Sequence, residues 1–215
     1  MKRIITVLLL TTVSSRVFAA VDTPAAPILP TVLQHPYYVG LISGYGNTDW
    51  SQLVSQDQAS SANTPLSASG SGAIIGALFG YQLLQNIAIE AQYVHYPNSQ
   101  VTLLPDNGIY NGPNQFDSST EYYALLAKVS APFDHDRYEV FGTLGAARVV
   151  RSDVYVNIHD SRPTFGFGLS DIQWTHWNLS LAFNYTPGTG TAAYNTVSDY
   201  IPYLYAGELI LTYRI

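Results

Sequence analysis

An all-β fold, a transmembrane eight-stranded antiparallel up-and-down β-barrel, is predicted by three features of this 215-residue sequence. Bulky apolar residues alternate with small or polar ones through eight runs of about ten residues. Charged residues make up only 11% of the chain against 47% hydrophobic, yet no apolar run approaches the roughly 20 residues that a spanning helix needs. Short connectors alternate with long polar ones, as they do when only one end of a barrel must cross a membrane during insertion.

The first 19 residues are predicted to be a cleaved signal peptide. Lys2 and Arg3 form its positive start, Ile4 to Val13 its apolar stretch, and Val17-Phe18-Ala19 its cleavage motif. Without Lys2, Arg3 and Arg16, six basic residues face 15 acidic ones, a net charge of about −9 that argues against a nucleic-acid partner. The chain has no cysteine, so no disulfide framework accompanies export. Residues 20–36, "AVDTPAAPILPTVLQHP", hold four prolines and no period, and are expected to form a periplasmic leader. The barrel is expected over 37–215.

Run one puts Tyr37, Val39, Leu41 and Tyr45 on one face, and run two puts Ala73, Ile75, Ala77, Phe79 and Tyr81 opposite Gly72, Gly76 and Gly80. Run three separates Ile87, Ile89, Ala91 and Tyr93 from Ala88, Glu90 and Gln92. Run four separates Tyr123, Leu125, Ala127 and Val129 from Tyr122, Ala124, Lys128 and Ser130. Run five begins near Tyr138. Its Arg148 and Arg151 fall on opposite parities, which a bulge would reconcile. Run six has Phe165, Phe167 and Leu169 facing away from Gly166 and Gly168, and run seven sets Leu179, Leu181, Phe183 and Tyr185 against Asn178, Ser180, Ala182 and Asn184. Run eight, "GELILTYRI", carries Leu209, Leu211, Tyr213 and Ile215 on one face. It should pair with run one and leave no open edge in lipid. Leu211, Tyr213 and Ile215 are expected to form the C-terminal signal read by barrel-assembly machinery, with Ile215 where Phe is usual.

The short connectors are "LLQN", "PFDHDR" and "THW". The long ones run from Ser51 to Gly70, Asn98 to Ser119, Ser152 to Arg162, and Pro187 to Tyr200. A water-soluble barrel would turn its bulky face inward. Here the small face carries too many glycines and alanines to fill such a core. The bulky face, nearly free of charge and ending in tyrosines, suits lipid.

The chain resembles the transmembrane barrel of outer membrane protein A and its eight-stranded relatives. The likeness lies in "YYVGLISGYG", "GALFGYQLLQNIAIEAQY", "EYYALLAKVSAPFDHD", "YEVFGTLGAARV" and "ELILTYRI". It implies a lumen plugged by opposite charges on strands three and four, at which Glu90 and Lys128 stand. Further lumen charges expected on strand seven are replaced by Ser180 and Ala182. The peptidoglycan-binding domain that some members carry after the barrel is not expected in this sequence. The residues themselves point the same way, since two inward charges on adjacent strands of a narrow lumen must pair. Glu208 and Arg148 are candidate further lumen partners.

A lipid-modifying hydrolase is the less favoured alternative. It would need a nucleophile, a histidine and an acid at the outer rim. His35 falls in the leader, while His135 and His176 fall in short turns. His95, near Ser99, is expected among lipid headgroups. "HDSR", His159 to Arg162, reads as a polar loop. Neither "GTG" nor Asn178-Leu179-Ser180 has the context of a phosphate or glycosylation site, and no metal or cofactor spacing occurs. The expected role is therefore non-enzymatic: membrane integrity, adhesion or host-surface contact through long extracellular loops, with a narrow solute pore as the alternative. Phe116, Tyr110, Tyr194 and Tyr200 would offer loop contacts. The expected location is the outer membrane of a Gram-negative bacterium, with the N-terminus periplasmic. The expected partners are outer-membrane lipid and lipopolysaccharide, the assembly machinery, periplasmic chaperones, and a surface ligand or host receptor.

Overall fold

Period-two alternation becomes strand pairing throughout the computed structural model, which describes residues 36–51, 65–103, 115–134, 137–171, 176–189 and 200–215. The expected signal peptide, the leader up to His35, and the residues Tyr110, His135 and Tyr194 lie outside these. The strands are β1 (Tyr37–Asp49), β2 (Pro65–Ser69), β3 (Ser71–Leu84), β4 (Ile87–Leu103), β5 (Gln115–Phe133), β6 (Tyr138–Ser152), β7 (Asn157–Asp171), β8 (Trp177–Thr186) and β9 (Tyr203–Arg214).

The eight long strands pair antiparallel with their chain neighbours, and β9 returns to β1 with Leu41 opposite Leu211 and Ile42 opposite Ile210. The sheet is thus a closed barrel, and none of the eight leaves an unpaired edge. The short β2 was expected to be loop. It continues the line of β3 past Gly70 and pairs only with β4. Thr48 fixes this junction by donating its amide to the Gly70 carbonyl at 2.9 Å.

Bulky side chains point outward as the alternation predicts. Leu41, Leu125 and Leu181 are each more than 60% exposed, a face that only lipid can cover. Aromatic residues bound this apolar band. At the short-turn end stand Tyr37 beside Tyr81, Phe133 beside Tyr138, and Trp177 beside Tyr213. At the long-loop end stand Tyr93 beside Tyr123 and Tyr185 beside Tyr205. From Tyr123 to Phe133 is eleven residues of β5, and from Trp177 to Tyr185 nine of β8, matching the roughly 9–11 residues of a tilted membrane-crossing strand.

Several strands run further than expected. β4 reaches Leu103 and β5 begins at Gln115, so much of the anticipated Asn98–Ser119 loop is hairpin. The anticipated Ser152–Arg162 loop is mostly strand as well, because β7 starts at Asn157. "HDSR" is therefore not a loop. Its alternation went unseen because neither face is apolar there. Nor does β6 contain a bulge: it pairs with β5 and β7 in unbroken register. Arg148 points outward and Arg151 inward, so their opposite parities need no reconciling. The irregularity near the rim lies instead in β4, between Tyr96 and Ser99. On the short-turn side Asp134 takes a positive φ of 51°, a conformation that Asp tolerates better than most residues.

Candidate functional site in the barrel lumen

The inward faces meet in a lumen that is packed rather than open. Ile42, Leu78, Leu126, Phe141 and Ile210 fill its middle from five strands. An ionic group lies toward the short-turn end. Glu90 on β4 accepts a hydrogen bond from the Tyr38 hydroxyl at 2.8 Å and another from Gln92 Nε2 at 3.0 Å. Lys128 Nζ on β5 lies 3.9 Å from Glu90 Oε1 and 3.5 Å from Glu139 Oε1 on β6, and sits 4.2 Å above the Phe141 ring. Lys128 therefore bridges two carboxylates, and the nearer is Glu139.

Gly80 makes room for this arrangement. A Cβ there would collide with the Tyr38 ring, which lies across the glycine to reach Glu90. Sequence reasoning paired Glu90 with Lys128 but missed Tyr38 and Glu139. Tyr38 has the inward parity of run one and could have been found. Glu139 was hidden by the ambiguous facing of run five.

The other candidate partners stand apart. Glu208 is inward and only 1% exposed, and it accepts a hydrogen bond from Asn184 Nδ2 at 2.7 Å. Among the described residues no cation lies within ion-pair distance of it. Arg148 was expected as a lumen partner, but its outward parity on β6 sets it on the exposed exterior. Arg214 lines a cavity of about 20 Å³ at the short-turn mouth together with Lys128 and Glu139. A second cavity, of about 10 Å³, lies beside Glu90, Gln92 and Thr143. Such volumes admit a water molecule or so, not a solute.

A second closure occupies the long-loop end, and sequence reasoning did not anticipate it. Arg151 is fully buried. Its guanidinium donates to the Tyr200 carbonyl at 2.8 Å and to Ser118 Oγ at 3.3 Å, pairs with Asp153, and lies 4.6 Å over the Trp50 ring. Burial draws the Arg151 pKa down while Asp153 works to raise it. The rings of Trp50 and Tyr200 pack at a tilt, 5.3 Å apart, and Val101 and Phe116 complete an apolar cluster distinct from the barrel core. The Tyr200 hydroxyl donates to the Asp49 carbonyl at 3.2 Å. Phe116 and Tyr200, expected to be free for contacts, are thus committed to this cap.

The Arg151→Met protein should keep a closed barrel but loosen the cap, because a similar length remains while four interactions go. With Trp174 and Trp177 replaced by Phe, acrylamide quenching of Trp50 should rise several-fold. Unchanged quenching would show that Arg151 does not hold the cap.

The residues once weighed as catalytic are dispersed. In β7, His159 and Ser161 point outward, while Asp160 and Arg162 point inward and pair with each other. Desolvation works to raise the Asp160 carboxyl, but hydrogen bonds from Arg162 and the Ser161 amide outweigh it and hold the pKa low. Ser99 is buried against Thr48, across the β4 irregularity from His95. No hydrolytic triad forms from either set.

A closed antiparallel barrel of eight long strands, with an apolar exterior between two aromatic girdles, defines the small transmembrane β-barrels, and this protein has that fold. Solved structures share it, among them the following two. Neisserial surface protein A aligns with a TM-score of 0.53 at 11% identity, over 83% of this chain and 97% of its own. The outer membrane protein OprG of Pseudomonas aeruginosa aligns with a TM-score of 0.53 at 13% identity, over 84% and 98%. No family model and no curated protein matches the chain.

Proposed function

We propose that the protein is a closed, non-conducting barrel of the bacterial outer membrane, with its long-loop end outside and its N-terminus periplasmic. Its role is structural or one of surface contact, in membrane integrity, adhesion or contact with a host surface, and it is not catalytic. The observation that carries this reading is double occlusion. The Lys128 cluster closes the lumen near one mouth and the Arg151 cap closes the other, with apolar packing between them. Ions crossing such a path would have to displace paired charges and buried side chains. The shared fold with a neisserial surface protein and a pseudomonad outer membrane protein supports the location. The predicted export signal at Lys2–Ala19 and the outward row of Leu211, Tyr213 and Ile215 suit delivery by periplasmic chaperones and the assembly machinery.

Planar-bilayer recordings of the refolded protein test the closed state. The expected record is flat, with rare small events, and steady large conductance would favour the solute pore instead. Deleting 104–114 or 190–199 should then lower adhesion of expressing cells to host surfaces while leaving the barrel folded. Unchanged adhesion would leave membrane integrity as the role.

A further inference from the structure

Arg148 is a cation on the wrong face for a barrel in lipid, and its depth explains how it can be there. It stands opposite Tyr123 on one side and Ser161 on the other, so it shares the level of the aromatic girdle at the long-loop end. Immediately below this level the exterior turns apolar, with Leu125, Leu144 and Phe165 all exposed. Among the described residues it is the only lysine or arginine pointing outward from the wall at that end. Lys128, Arg151 and Arg162 point inward, and Arg137 and Arg214 belong to the short-turn end.

Arg148 also has no ion-pair or hydrogen-bond partner among the described residues. Glu121, the carboxylate on the next strand, accepts the Tyr123 hydroxyl at 2.7 Å instead. The row is not a lone charge. Tyr93 and Tyr123 pack with tilted rings 5.1 Å apart beside it, and one step higher His95 and His159 face outward at either end of a row through Glu121 and Val150. Polar side chains, one of them the Glu121 carboxylate, thus spread across four strands, a width of roughly 14 Å at ordinary strand spacing.

We propose that this row is a binding site for a phosphorylated glycolipid of the outer leaflet, the lipid A portion of lipopolysaccharide. Arg148 grips a phosphate, and the tyrosine, serine and histidine side chains meet the sugar hydroxyls. An unpaired guanidinium at the headgroup level needs an anion, and its planar fork suits phosphate bidentately. A broad row of hydroxyls and imidazoles, with Glu121 as an acceptor for sugar hydroxyls, suits a disaccharide headgroup better than a single glycerophosphate. The proposal rests on the outer-membrane reading for its ligand, but its test is independent of it.

Native mass spectrometry of the folded protein in detergent would count retained lipids. Wild type should hold diphosphoryl lipid A, Arg148→Gln should lose roughly tenfold or more in occupancy, and Arg137→Gln should match wild type. Dephosphorylated lipid A should bind no protein form well. Equal retention by wild type and Arg148→Gln would overturn the site, and so would failure of wild type to retain lipid A. Phosphatidylglycerol held as strongly as lipid A would overturn the choice of ligand. Because the barrel is already folded in this assay, a negative result leaves the closed-barrel reading to its conductance test.

Discussion

Leu181→Arg is expected to prevent most of the protein from reaching the folded, heat-modifiable form. Leu181 lies at the centre of the nine residues between Trp177 and Tyr185, opposite Leu169 and Leu209, and is 64% exposed to the exterior. An arginine there sits at the bilayer midplane, where it costs about 2–4 kcal/mol, against about 0–1 kcal/mol near an interface. Tyr185→Arg, at the rim of the same strand, should therefore assemble nearly normally. Leu181→Phe controls for size. Mobility with and without boiling, and urea titration in lipid vesicles, would report the difference. Equal assembly of Leu181→Arg and Tyr185→Arg would mean that the outer face of β8 is not covered by lipid.

Lys128→Glu should be the most damaging change inside the lumen. The lysine bridges Glu90 and Glu139, so reversal places three carboxylates together where solvent is scarce. Breaking a buried ion pair by removing one partner costs about 3–5 kcal/mol, and like charges add to that unless a proton is taken up. Tyr38 and Gln92 would still donate to Glu90 but cannot neutralise it. The double reversal, Glu90→Lys with Lys128→Glu, should restore only part of the loss, since Glu139 would then face a new like charge. Adding Glu139→Gln to the pair should restore more. Urea midpoints of the four proteins order these outcomes, and single-channel recordings should stay flat in all of them, because the Arg151 cap still closes the other mouth. If the double reversal is no more stable than Lys128→Glu alone, the two residues are not coupled.

What could be read in the sequence was the part encoded locally. Alternation at Tyr37–Tyr45 or Leu179–Tyr185 needs no distant partner to show which way a side chain points. The facing of those strands and the closure of the last on the first followed from it. Reading failed where locality did. Arg148 and Arg151 were expected to share a face, whereas one points to the exterior and the other into the cap. The β7 stretch His159–Arg162 alternates only between kinds of polar residue, so hydrophobicity could not reveal it as strand. The cap was the least legible feature, since Trp50, Val101, Phe116, Arg151 and Tyr200 are apolar, charged and aromatic residues scattered along the chain. Only the barrel register brings them together.

The strand lengths carry one more consequence. β4 and β5 have 17 and 19 residues while β8 has 10, so the wall rises like a palisade on one flank and stays low on the other. The stopper is built from the tops of these stakes and from Tyr200, just before β9. Trp50, Val101, Phe116 and Arg151 stand at or beside the long-loop ends of β1, β4, β5 and β6. The seal therefore rides on the tall flank, and trimming the tops of β4 and β5 should unseat it while the girdle-to-girdle wall stays closed.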